Sequence, residues 1–279
     1  MEIRGGGVMA GYTAVPGLLY IVSIRSRNIA SEVRVNDVLI DQCDGHVPET
    51  YTEKVNPLLL RGGNTLAASL GNAKPAPTKT ASKLPPGEQP PPADPEFRLT
   101  LRRGRQGVNP AESSELAAFA WPPATVPLSP SGLVEVYRQV VEVSDLPYEA
   151  QWLRAEPTAM GDDQAHDYVR RYADLMRRRE FSSVVAANRF KLEELSRCFG
   201  LDARELMSDM QEHLATLAAA GDYEVREAEG LTAVREGGGR MVTIVGRNRT
   251  APIAVRSSGV EFPFPLHFAY VGSHWQIVR

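Results

Sequence analysis

Two hydrophobic rhythms divide the chain. Over residues 1–155 apolar and polar positions mostly alternate, the period of strands with one buried face. The pattern predicts strands over 18–25, 32–35, 38–40, 50–55, 65–70, 97–101 and 133–143. Asn36-Asp37 sits between two of them, and both residues tolerate a positive φ, so a tight hairpin is expected there. Residues 112–120 carry helix formers and are expected as a short helix ending at Trp121-Pro122-Pro123. Residues 72–95 hold eight prolines and little to bury, which predicts a spacer-like insertion between two strands.

From Asp162 the period lengthens. Ala165, Tyr168, Val169, Tyr172, Leu175 and Met176 recur at i, i+3/i+4, with Asp162 or Asp163 as cap and Arg177-Arg178-Arg179 at the far end, complementing the helix dipole. A second helix is expected over 183–199, stopped by Gly200. A third opens with Asp202 and Glu205 in a capping-box pattern and with Leu201 and Leu206 as a staple. Leu206, Met210, Leu214 and Leu217 form its stripe, and Gly221 takes the place of a C-terminal cap. The period then returns to two, with strands expected near 223–227, 231–235, 241–245, 253–256, 265–271 and 275–278. In the last hairpin Phe264, Leu266, Phe268 and Tyr270 fall on one face, expected to be a wall against Leu206, Met210 and Leu214. The expected organisation is an all-β sandwich over 1–155 and an α+β unit over 162–279, joined by a linker at 155–161.

Two resemblances bear on this. Val35-Asn36-Asp37 followed by Leu60-Arg61-Gly62-Gly63-Asn64-Thr65-Leu66 resembles the jelly-roll sandwich module of some glycoside hydrolases, although Asp37 stands where that pattern has Gly. Helices followed by antiparallel strands ending on Gly272, Trp275 and Ile277 are similar to the nuclear-transport-factor-like and cystatin-like cone fold. The first resemblance implies a sandwich. The second implies a curved sheet with helices packed on it, a fold that serves isomerases, dehydratases, ligand binders and interaction modules alike.

A net charge of −3 gives no general attraction for nucleic acid or an anionic membrane. Lys supplies only five of the 31 basic residues. Two cysteines, Cys43 and Cys198, make no disulfide framework, and no run is long enough to span a membrane, so the expected setting is a reducing cytoplasm. Met1 and Met9 are both candidate starts.

Candidate chemistry is sparse. Cys43 and His46 share a loop, but a metal site needs more ligands at suitable spacing, so no metal or other cofactor is expected. The resemblance to the cone fold implies a pocket lined by Tyr168 and Tyr172, with His166 and His267 as acid–base candidates. Strand alternation turns His267 away from a pocket built on Leu266 and Phe268. Arg98, Arg102, Arg103 and Arg105 form a basic patch suited to contact with an acidic protein partner. The leading expectation is a non-enzymatic protein acting through protein–protein contact, such as a bacterial accessory or immunity-type protein. The alternatives are a small-molecule binder or enzyme with its site in the C-terminal cone, and a carbohydrate-binding sandwich presenting Trp121, Tyr137 or Trp152.

Overall fold

In the computed structural model residues 17–45, 47–73, 94–108, 112–121 and 132–279 are described. The fold is a sheet-rich α+β arrangement with four antiparallel sheets and four α-helices. Met1, Met9, His46 and the centre of the 72–95 insertion lie outside the described residues. No helix among the described residues is long and apolar enough to cross a membrane.

The first half contributes β1 (Leu18–Arg27), β2 (Ile29–Val35), β3 (Val38–Cys43), β4 (Glu49–Lys54), β5 (Gly62–Asn72), β6 (Glu96–Arg105), β7 (Ser114–Trp121) and β8 (Val134–Val143). They form two sheets, ordered β4-β1-β6-β7 and β3-β2-β5-β8. Alternation places Tyr20, Val22 and Ile24 of β1, Leu99 and Leu101 of β6, and Leu66, Ala68 and Leu70 of β5 in one buried cluster between the sheets. The expected turn at Asn36-Asp37 forms, with φ of 50° and 62°. Its asparagine then ties the two motif runs together. The Asn36 Nδ2 donates to Asn64 Oδ1 (2.8 Å) and to the Leu58 carbonyl (2.7 Å), and Asn64 in turn bonds Leu60 and Gly62. Those motif residues are therefore turn chemistry, holding two loops of the sheets.

The expected helix over 112–120 is instead β7. Seven register pairs with β6 and the packing of Phe119 on Phe97 (ring centroids 6.2 Å apart) outweigh the alanine-rich helical propensity of SELAAFAW.

The helices are α1 (Asp162–Arg177), α2 (Phe181–Ala187), α3 (Arg189–Phe199) and α4 (Ala203–Ala218). The expected single helix over 183–199 is two. Asn188 separates them because its side-chain amide donates to the Val184 carbonyl (2.9 Å) and to the Tyr172 hydroxyl (2.8 Å), diverting the local ladder. Gly200 ends α3 at a φ of 67°, and Asp202 caps α4 by accepting from Arg204 N and Glu205 N. Two caps differ from expectation. Gly161 is the N-cap of α1, while Asp162 accepts from Ala233 N (3.0 Å). Ala219, not a glycine, closes α4.

The remaining strands are β9 (Glu224–Glu227), β10 (Thr232–Glu236), β11 (Met241–Val245), β12 (Ile253–Ser257), β13 (Val260–Phe264), β14 (Leu266–Val271) and β15 (His274–Ile277). They form sheets ordered β13-β12-β9 and β10-β11-β14-β15. The four-stranded sheet is buried on both faces. Val242, Ile244, Leu266, Phe268 and Ile277 meet Val169, Tyr172 and Met176 of α1. On the other face Met241, Ala269 and Val278 join the cluster of the first half. The expected wall is thus only partly right. Leu266 and Phe268 belong to it and Phe264, at the end of β13, packs half-buried against the same core, whereas Tyr270 is exposed, edge-on to Trp275. Leu214 faces this core, but Leu206 packs with Val185 and Leu192 in a separate small cluster.

Candidate functional site

The two-faced sheet sets the position of the site. On β14 the residues between Leu266, Phe268 and Tyr270 point to the outer face, so His267 leaves the helix-packed core. Thr243 is its register partner on β11, and cross-strand proximity lets the Thr243 hydroxyl reach His267 Nδ1 (2.9 Å). Thr243 also donates to Glu236 Oε2 (3.1 Å), from the end of β10. With that hydroxyl proton committed to the carboxylate, Nδ1 carries the imidazole proton and Nε2 is left with its lone pair.

Above this row lies α3. The i, i+4, i+8 spacing puts Lys191, Leu195 and Phe199 on one helix face. All three line a cleft of about 1110 Å³ between the first half of the chain and the outer face of the sheet. Leu39, Ile40 and Pro57 close it from the first half, with Trp152 also in the lining. The 3-10 turn carrying Trp152 (Gln151–Arg154) is anchored to α3 by the buried Glu194, which accepts from Gln151 N (2.5 Å) and the Tyr148 hydroxyl (2.7 Å). Gly237 permits close approach beside it. A Cβ there would sit 3.2 Å from Val38 Cγ2 and 3.7 Å from the Trp152 ring, and its φ of 59° is one that glycine adopts readily.

The electrostatics follow from burial and from crowded cations. Burial pushes the Lys191 ammonium down to about 8, and Arg279 adds to the effect. Burial, then Arg279 and Lys191, holds His267 well below the ordinary imidazole range, so it is neutral at pH 7. Burial raises the Glu236 carboxyl, opposed by its bond from Thr243 and by nearby arginines. Arg249 lies 3.5 Å from Glu236 Oε1, and Arg279 lies 3.7 Å from Glu53 while donating to the Leu39 carbonyl (2.9 Å). Lys191 has no carboxylate within 4 Å among the described residues. The Trp152 indole N–H, on a side chain only 1% exposed, has no acceptor there either. The arrangement therefore offers donors without acceptors beside an apolar surface. Its imidazole is too weakly basic to act as a strong base at neutral pH.

The sequence-derived candidates do not come together here. Tyr168 packs on Phe268 (5.0 Å between ring centroids) and Tyr172 is buried, both on the inner side of the sheet. His166 is at the surface, its Nδ1–H donating to the Asp162 carbonyl (2.7 Å). The space between α1 and the sheet is filled by Val169, Met176, Leu266 and Phe268, and the cleft lies on the other face of the sheet. His267 does face away from that core, as alternation requires. The correction is that the cavity lies on its side.

Of the arginines, Arg98 pairs with Glu96 (3.1 Å), Arg102 with Glu115 (3.6 Å) and Arg103 with Asp145, while Arg105 is exposed. Trp121 and Trp152 are buried and Tyr137 stacks on Phe119 at 4.7 Å, so the three do not form an exposed platform for a sugar. Cys43 is buried and its thiol is raised by that burial.

The residues that sequence reasoning missed are Lys191, Thr243 and Glu236, while Trp152 is expected only as a sugar-facing aromatic. One signal was available. Lys191 is the sole lysine after residue 83, and it stands four residues before Leu195 on the apolar side of a helix. Fold and cleft together define a sheet-rich α+β protein with a half-open polar–apolar cleft. Comparison with protein-family models, curated proteins and solved structures finds no match.

Proposed function

We propose that the protein binds a small amphipathic molecule in the cleft between its first half and the outer face of the β10-β11-β14-β15 sheet. The observation that carries this reading is the Trp152 side chain. It is fully buried, it lines a cleft of about 1110 Å³, and its N–H lacks an acceptor among the described residues. Buried donors are almost always satisfied, so an N–H without an acceptor, on a residue that lines a cavity, favours an acceptor from outside the chain. The cleft has the size and mixed lining of a ligand site, with aliphatic residues from both halves among polar and charged groups. Contact with a protein partner through Arg98, Arg102 and Arg103 has less support, because neighbouring carboxylates already neutralise these three.

The test uses the three tryptophans as reporters. In 15N-labelled protein the Trp152 indole resonance is identified by its loss in Trp152→Phe. Titration with a set of amphipathic fragments is expected to shift that resonance and leave those of Trp121 and Trp275 in place. Fragments that move only Trp121 or Trp275, or none of the three, would sink the proposal.

A further inference from the structure

Resting on the cleft reading above, we propose that the ligand is a monocarboxylic acid with an apolar body, its carboxylate seated on Lys191 and its body lying along Leu195 and Phe199. Charge argues for the acid. The lining sets Lys54, Lys191, Arg249 and Arg279 against Asp41, Glu53 and Glu236, which leaves a surplus of one positive charge. Arg249 faces Glu236 and Arg279 faces Glu53. Lys54 is exposed and lies over the Phe199 ring at 6.0 Å. Lys191 is the more buried of the two remaining cations, and a single negative head balances it where a dianion would overshoot.

Hydrogen bonding argues for a carboxylate. Its two oxygens accept from more than one donor at once, and the lining includes Lys191 and Trp152, whose buried indole N–H has no acceptor among the described residues. A carboxylate here would also favour the charged form of a lysine that burial and Arg279 now drive toward neutrality. Shape argues for the apolar body. The i, i+4, i+8 row of α3 that begins with Lys191 continues with Leu195 and Phe199, so a chain leaving the lysine meets apolar surface one turn and two turns away.

The experiment compares decanoate with decanamide, which keeps the shape and loses the charge. Both are titrated by calorimetry into the full chain and into Lys191→Met, with the Trp152 indole resonance recorded in parallel. Wild-type protein is expected to bind decanoate about 10- to 100-fold more tightly than decanamide, the range of a charge-assisted hydrogen bond. In Lys191→Met that preference is expected to vanish, while decanamide binds both proteins alike. Equal binding of the two compounds by wild type, or a preference that survives in Lys191→Met, overturns the carboxylate assignment and leaves the cleft reading intact. If neither compound binds nor shifts Trp152, both are overturned. Circular dichroism and urea unfolding of Lys191→Met establish that any loss comes from a folded protein.

Discussion

Lys191→Met tests the electrostatics of the cleft without any ligand. Methionine keeps an unbranched apolar stem of similar length and removes the ammonium. The lysine falls from its ordinary value of 10.5 to about 8, chiefly through burial. The sign follows from linkage. Below pH 8 the folded and unfolded chains both carry the proton, and folding bears the full cost of burying the charge. Between 8 and 10.5 the folded lysine is increasingly neutral while the unfolded one stays charged, so the cost shrinks. Above 10.5 it is gone. At about 1.4 kcal/mol per pH unit the cost at pH 7 is about 3 kcal/mol. Lys191 keeps some contact with solvent, and screening trims this to about 1–3 kcal/mol. Lys191→Met is therefore expected to be the more stable protein at pH 7 by that amount. At pH 9 the gain is expected to be smaller, and near pH 10.5 close to zero. Urea unfolding followed by circular dichroism at the three pH values measures it, with unchanged m-values as the check that the denatured states are comparable. A variant no more stable than wild type at pH 7, or a gain of the same size at pH 10.5, would refute the reasoning. The lysine would then be solvated, and its loss a matter of packing alone.

Three further outcomes follow from the structure. Asn64→Ala removes a buried amide that bonds Asn36, Leu60 and Gly62, and should cost about 2–4 kcal/mol in urea unfolding, more than Asn→Ala at an exposed loop. Glu194→Ala takes away the buried acceptor joining α3 to Tyr148 and Gln151; a loss of about 2–4 kcal/mol is expected, together with a shifted Trp152 resonance, and a silent indole would mean that α3 does not position the turn. Burial raises the Cys198 thiol to about 12 against an ordinary 9, so iodoacetamide at pH 8.5 should leave it unmodified in the native protein and label it in urea. By the same linkage its contribution to stability is intact below pH 9 and is lost as pH rises toward 12, so Cys198→Ala should flatten part of the alkaline fall in stability.

What could be read from the chain follows the range of the interactions involved. The strands over 18–25 and 133–143, the Asn36-Asp37 turn and the Asp202 cap rest on neighbours in sequence, and each is found where local chemistry puts it. Three of the departures involve distant partners. Residues 112–120 become a strand because β6 offers a register, and the helix over 183–199 breaks because Asn188 finds Tyr172 sixteen residues away. Asp162 gives up its capping role because Ala233 N is in reach. The site belongs with this second group. Alternation shows that His267 leaves the core of Leu266 and Phe268, but no local rule says what covers the outer face.

That face explains why the two halves are better treated together at the site. A sheet packed on one side only would leave His267, Thr243 and Glu236 to solvent, where an imidazole and a carboxylate keep their usual character. Here Met241, Ala269 and Val278 are instead drawn into the cluster of the first half, and the same packing desolvates the polar row beside them. Apolar contact fixes the position of the sheet, and the groups that cannot be buried favourably are left at the border where the contact is incomplete. Lys191 on α3 and Trp152 on its 3-10 turn both line that border, and Glu194 ties the two elements together. An unpaired cation and an open N–H at such a border cost stability in the unliganded protein. A ligand that supplies the missing acceptor recovers that cost as affinity, and for that reason the stability of Lys191→Met and its loss of discrimination should appear in the same variant.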